Sequence, residues 1–180
     1  LVMPFPKALT FLSSLLLLGL TSCSPQVSQC NQLITAINEA QVFDAEYEQA
    51  IKAALAQLNS AQNMSELQSG AGVYIATMQK ASTQSDLLAQ SLAALELEDE
   101  QLREYREGYT TAANQWSRTF TDAKEAMQLL ADAENEDAFR SVFGRFEAQV
   151  NGAFSALQTI DAEAAQITEG VNTYCEPAAQ

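Results

Sequence analysis

The sequence predicts an all-α protein: an antiparallel up-down-up-down four-helix bundle of long helices behind a cleaved lipoprotein signal peptide. Three observations carry this prediction. Apolar residues recur at alternating three- and four-residue intervals through four stretches of about 30 residues each. Short polar or acidic segments separate those stretches. Nothing between Ser24 and Glu176 reads as a strand run, and no proline interrupts a helical stretch.

The chain opens with a short basic start, Met3-Pro4-Phe5-Pro6-Lys7, and an apolar run from Ala8 to Leu20. That run fits a signal-peptide core of roughly 7 to 15 residues. It is too short for a spanning helix, which needs about 20 apolar residues. Leu20-Thr21-Ser22-Cys23 then matches the bacterial lipoprotein box, an apolar residue and two small ones before a cysteine. The thiol must be free to form a thioether with a diacylglycerol, and the small side chains admit the backbone to the peptidase that cuts before Cys23. The competing reading is an ordinary secretory signal with Cys23 unmodified. Leu1 and Val2 ahead of Met3 read as an alternative start codon or an over-extended gene start. The expected organisation is residues 1–22 as signal peptide, 23–28 as lipidated tether, 29–176 as bundle and 177–180 as C-terminal tail. A second acyl chain on the new amino terminus would make the attachment stable, since one chain alone binds marginally.

The first helix is predicted from Ser28 or Gln29 to Leu58, with Cys30, Leu33, Ile37, Ala54, Leu55 and Leu58 on its apolar stripe. Asp44 interrupts that stripe, so either it caps a second segment after a kink or the stripe drifts and partly exposes Val42 and Phe43. A continuous helix with a local irregularity is the favoured reading. Ser65-Glu66-Leu67-Gln68 has capping-box form and is predicted to start the second helix. Its stripe runs through Leu67, Ala71, Tyr74, Met78, Ala81, Ser85, Leu88, Leu92 and Leu95. Gly70 and Gly72 lie inside it, for a close backbone approach or as loosened first turns. Asp99 is the expected cap of a third helix from Glu100 to about Ala133, with Leu102, Tyr105, Tyr109, Trp116, Phe120 and Met127 on its stripe. Glu100 with Arg103, and Arg103 with Glu107, read as weak helical ion pairs on a solvated face. Asn135 is the candidate cap of a fourth helix reaching about Tyr174. Its expected buried edge includes Phe139, Phe143, Phe146, Phe154, Ile160, Val171 and Tyr174.

Cys30 and Cys175 stand at opposite ends of the mature chain, and in an exported protein two such thiols are expected to be bridged. An even number of antiparallel helices returns the C-terminus to the end where the first helix begins. Helix count and cysteine chemistry therefore agree on one topology.

Composition excludes several function classes. The full chain has a net charge of -14, and removal of residues 1–22 takes away only Lys7, leaving -15. No basic stripe exists to neutralise phosphates, so nucleic acid is not an expected partner. Charge cannot hold the protein to an anionic leaflet either, which leaves that task to the lipid on Cys23. The chain has no histidine, which removes imidazole as general base, haem ligand or zinc ligand. With Cys23 lipidated and Cys30 bridged to Cys175, no thiolate is left for metal or nucleophilic chemistry. Gly-rich phosphate loops and the Gly-x-Ser-x-Gly turn are missing too. No catalytic residue, resident metal or cofactor is expected, and the protein is read as a non-enzyme.

Two features weigh against an empty inventory. The acidic turn Asp132, Ala133, Glu134, Asn135, Glu136 and Asp137 offers oxygens to calcium, but lacks the spacing and bend glycine of an EF-hand loop. A solvated turn with helix-start acids is the favoured reading. The aromatic stripes of the third and fourth helices could surround an apolar ligand such as a quinone or pigment, although aromatic residues at core spacing more often simply pack.

Cys30-Asn31-Gln32-Leu33-Ile34 at the start of the domain and Asn172-Thr173-Tyr174-Cys175 at its end resemble the ends of small uncharacterised lipoproteins of cyanobacteria. Leu102-Arg103-Glu104-Tyr105 is similar to the same family. The resemblance implies an exported, anchored helical domain. By architecture alone the chain also looks like the lipidated four-helix subunits on the lumenal side of photosystem II, a fold-level analogy without a shared motif. The expectation is a lipid-anchored bundle facing the periplasm or thylakoid lumen. It would act as a protein-binding or structural module, an accessory of a membrane complex. A carrier of an apolar ligand is the alternative, and a carboxylate-dependent hydrolase the remote one.

Overall fold

The computed structural model describes residues 25–176, except for the side chains at 41–45. The leader, Cys23 and the tail 177–180 lie outside the described residues. Within them the chain forms α1 (Pro25–Ser60), α2 (Met64–Ala93), α3 (Glu100–Ala131) and α4 (Glu136–Cys175), with no strand, and the helices pack as a bundle.

Cap chemistry sets three of the starts. Asp99 accepts from Leu102 N at 2.9 Å and Asn135 from Ala138 N at 3.0 Å, the two caps expected for α3 and α4. For α2 the cap lies two residues before the expected Ser65. Asn63 Oδ1 accepts from Glu66 N at 3.0 Å, while Glu66 Oε2 accepts from Gln62 N at 2.8 Å. Asparagine ranks among the best caps, and the glutamate three residues on reaches back to the backbone one residue before it, a variant of the capping box. Helix α1 is described from Pro25 onward, so residues 25–28, expected as tether, are helical. Through position 44 the helix is unbroken. The side chains of Val42, Phe43 and Asp44, on which the kink-or-drift question turned, lie outside the described residues.

The core has two clusters. One joins Cys30, Leu33 and Ile37 of α1 to Leu92, Leu102, Tyr109, Ile160, Val171 and Cys175. The other joins Ala54 to Ala71, Tyr74, Met78, Phe120, Met127, Leu130 and Ala153. Helices α2 and α3 share the broadest interface. Its buried residues include Ala71, Ala81 and Ala89 on one side and Ala112, Ala113 and Ala126 on the other. Small side chains let the backbones approach, and Ser82 Oγ lies 3.1 Å from Ser117 Oγ and 3.0 Å from Thr121 Oγ1 in the same seam. Of the two glycines, Gly70 serves close approach: a Cβ there would stand 3.2 Å from the Leu58 nitrogen. Gly72 has nothing within 4 Å of that point.

Three stripe residues are corrected. Leu55 is 44% exposed, Phe143 42% and Phe154 62%. Helix α1 packs chiefly on α2 and α4 chiefly on α3, while α1 and α4 share few contacts. A helix with one main neighbour covers a narrower stripe than one held between two. The predicted ion pairs are also replaced: Arg103 Nη1 donates to the Glu98 carbonyl at 2.8 Å, and the Glu107 carboxylate lies 3.3 Å from Arg106. In the first turn of α3, Arg103 is beside the carbonyls of the α2–α3 connection, which it meets without ordering a second long side chain.

Candidate functional site

Residues at the Cys30 end hold three elements together. The Cys30 and Cys175 sulfurs are at disulfide distance, 2.07 Å, with Cα atoms 5.8 Å apart. The neighbouring Gln29, 8% exposed, accepts through Oε1 from both Glu98 N and Asp99 N, at 2.6 and 3.0 Å. Tyr174 donates to Asp99 Oδ2 at 2.8 Å. The Leu102 N–H at Asp99 pulls its carboxyl below the ordinary aspartate value, against partial burial, and the Tyr174 hydroxyl adds to the effect. The same bond raises the Tyr174 phenol above its ordinary value. Tyr74, in the other cluster, is raised by burial.

A cleft of about 800 Å³ lies between the four helices on the side where α1 and α4 share few contacts. Tyr47 of α1 and Tyr109, Trp116 and Phe120 of α3 form its aromatic walls. Tyr47 meets Phe120 at a ring-centroid distance of 5.0 Å, and Tyr109 meets Trp116 edge-on at 5.8 Å. Leu88 and Leu157 add apolar surface. Ser85 of α2 also lines the cavity; it is 2% exposed. On the α4 side lie Asp161, Glu169 and Glu176. Trp116 Nε1 donates to Asp161 Oδ1 at 2.8 Å, which fixes the indole and the carboxylate against one another. Along α4 the three acids are spaced about 12 and 10.5 Å apart at 1.5 Å per residue.

The acidic turn spends its groups locally. Asp132 Oδ1 accepts from Gln128 at 2.8 Å, Asn135 caps α4, and Glu136 lies 3.3 Å from Arg140. Among the described residues no three metal-ligating side chains converge, and no helix is long and apolar enough to cross a membrane.

Of the residues singled out from sequence, Cys30 and Cys175 are brought together; of the two aromatic stripes, Tyr109, Trp116 and Phe120 of α3 line the cavity, where they are joined by Tyr47 of α1, whereas the aromatic residues of α4 are not part of its lining. Cys23 lies outside the described residues. Gln29 and Asp161 were missed. Neither lies on an apolar stripe, and a polar side chain that bonds across 69 residues of sequence, as Gln29 does to Glu98, leaves no local signal.

Fold and cavity define a helical bundle with an aromatic cleft. No family model, curated protein or solved structure matches this chain.

Proposed function

We propose that this protein is a lipid-anchored, exported helical bundle that binds an apolar small molecule in the cleft between α1 and α4, and that it is not an enzyme. The cleft carries this reading: a well-packed bundle would fill about 800 Å³ with side chains, and here that space lies between aromatic walls. Its size falls in the range of about 300 to 1,000 Å³ of small-molecule sites.

In this reading residues 1–22 are removed, Cys23 carries the lipid, and the domain faces the periplasm or a thylakoid lumen. The helices run up, down, up and down. Support for that order comes from the two core clusters. One combines the start of α1 and of α3 with the end of α2 and of α4; the other combines the opposite ends. Only one residue would separate Cys23 from Pro25, so the Cys30–Cys175 end would stand at the membrane.

A second reading, a protein-binding module of a membrane complex, draws on the exposed Phe143 and Phe154 of α4. Purification from native membranes in mild detergent, followed by organic extraction and mass spectrometry, separates the two. The proposal expects a small molecule in stoichiometric amount. A co-purifying complex without one supports the second reading and removes the first.

A further inference from the structure

We propose that the cleft selects an amphipathic organic cation, with a ring-bearing apolar body and a positively charged nitrogen at the α4 rim. This rests on the ligand-binding reading and adds the chemistry of the ligand.

Charge comes first. Among the described residues every charged residue lining the cleft is a carboxylate: Asp161, Glu169 and Glu176. No lysine or arginine follows Arg145 in the chain, so the whole cleft side of α4 lacks a basic group. The one basic residue of α1, Lys52, is held by Glu48 at 2.9 Å. An anion entering here would shed water beside three carboxylates without a counter-charge, whereas a cation finds that field favourable. The rim acids are solvated, so the preference is moderate and salt-dependent.

The walls favour the same ligand. Indole and phenol faces attract a cation through their quadrupoles, tryptophan most strongly, and stack on a flat apolar body. Trp116 stands between wall and rim, its ring beside Tyr109 and its Nε1 on Asp161. The Asp161 carboxylate has a second oxygen, which the Trp116 bond leaves able to accept from an ammonium group.

Ser85 supplies an independent observation. It is 2% exposed, lines the cleft, and has no hydrogen bond to another side chain among the described residues. A hydroxyl at the floor of the cleft offers a hydrogen-bonding point to a polar group on the ligand body, in place of water.

Trp116 is the only tryptophan of the chain and serves as the reporter. Full-length lipoprotein in nanodiscs of neutral phosphatidylcholine is titrated with three probes of one shape: 9-anthracenylmethylamine, 9-anthracenemethanol and 9-anthracenecarboxylate. Anthracene absorbs where tryptophan emits, so occupancy reads as saturable energy transfer from Trp116. The amine should bind about tenfold more tightly than the carboxylate, the alcohol falling between, as one favourable ion contact in a half-solvated site implies. Asp161→Asn, at an exposed position, keeps an acceptor for Trp116 and should weaken the amine about threefold more than it weakens the alcohol. Ala165→Phe at the exposed rim should weaken all three. An alcohol or carboxylate that binds as tightly as the amine overturns the cation inference and leaves the cleft as a site for other apolar ligands. No saturable transfer from any probe overturns both readings.

Discussion

The Tyr174 hydroxyl donates to Asp99 Oδ2 at 2.8 Å, while Asp99 Oδ1 accepts from Leu102 N at 2.9 Å. One carboxylate thereby caps α3 and holds the last turn of α4. Gln29 of α1 grips the same two-residue backbone segment from the other side. Three elements that meet beside Cys30–Cys175 thus share one polar junction.

That junction sets a pH window. Asp99 is depressed below its ordinary value of 3.8, so its contribution is fully present above that value and fades as pH falls through the lower folded value. Tyr174 is raised above its ordinary value of 10.0, so its contribution is present below that value and fades as pH rises through the higher folded value. Thermal unfolding followed by circular dichroism should show the junction intact between about pH 4 and 10. Asp99→Asn keeps a competent cap and should flatten the acid limb; an unchanged acid slope would show that Asp99 is not its source.

Gln29→Leu should lower stability by about 1 to 3 kcal/mol, because it leaves the Glu98 and Asp99 N–H groups without their acceptor. Urea unfolding measures this. A loss no larger than for substitution of the exposed neighbour Ser28 would refute a structural role for Gln29.

Two glycine substitutions should act in opposite directions. Gly72→Ala adds a methyl group where nothing lies within 4 Å and should raise stability by about 1 kcal/mol, the helix-propensity gain. Gly170→Ala would set a Cβ 2.8 Å from Tyr105 Cε1. It should lower the melting temperature and disturb the Tyr105–Tyr174 edge contact. Equal melting temperatures for the two variants would contradict the packing of α4 on α3 at this end.

Replacing Cys30 and Cys175 by alanine opens a loop of 145 residues. Chain entropy assigns about 5 kcal/mol to a loop that long, a large share of an ordinary domain's stability. The melting temperature should fall while helix content at low temperature persists, since the α2–α3 seam does not depend on the bridge. Loss of helix at low temperature would mean that the bridge is needed for folding itself.

Cys23→Ser should release the protein from the membrane fraction with its helical spectrum intact. A serine variant that stays in the pellet after a high-salt wash would show that something other than lipid holds it.

Helix content and the pairing of Cys30 with Cys175 were legible in the sequence. The stripes of α2 and α3 were legible as well, because both helices are covered along their length and three-four periodicity records such burial. The cap of α2 was misplaced by two residues, since Asn63 with Glu66 and Ser65 with Gln68 both have capping-box form. Choosing between them depends on which carbonyls and N–H groups the preceding turn leaves open.

By itself the sequence determined that this chain is helical, acidic and without imidazole, and that its terminal cysteines can meet. Those properties follow from local periodicity and from an inventory of side chains. Only the tertiary structure decided that α1 and α4 share few contacts, that Phe154 is exposed and that Ser85 lines a cleft. The angle between two helices depends on all the side chains at their contacts. A stripe of apolar residues records that a helix has a buried face, but not whether one neighbour or two will cover it.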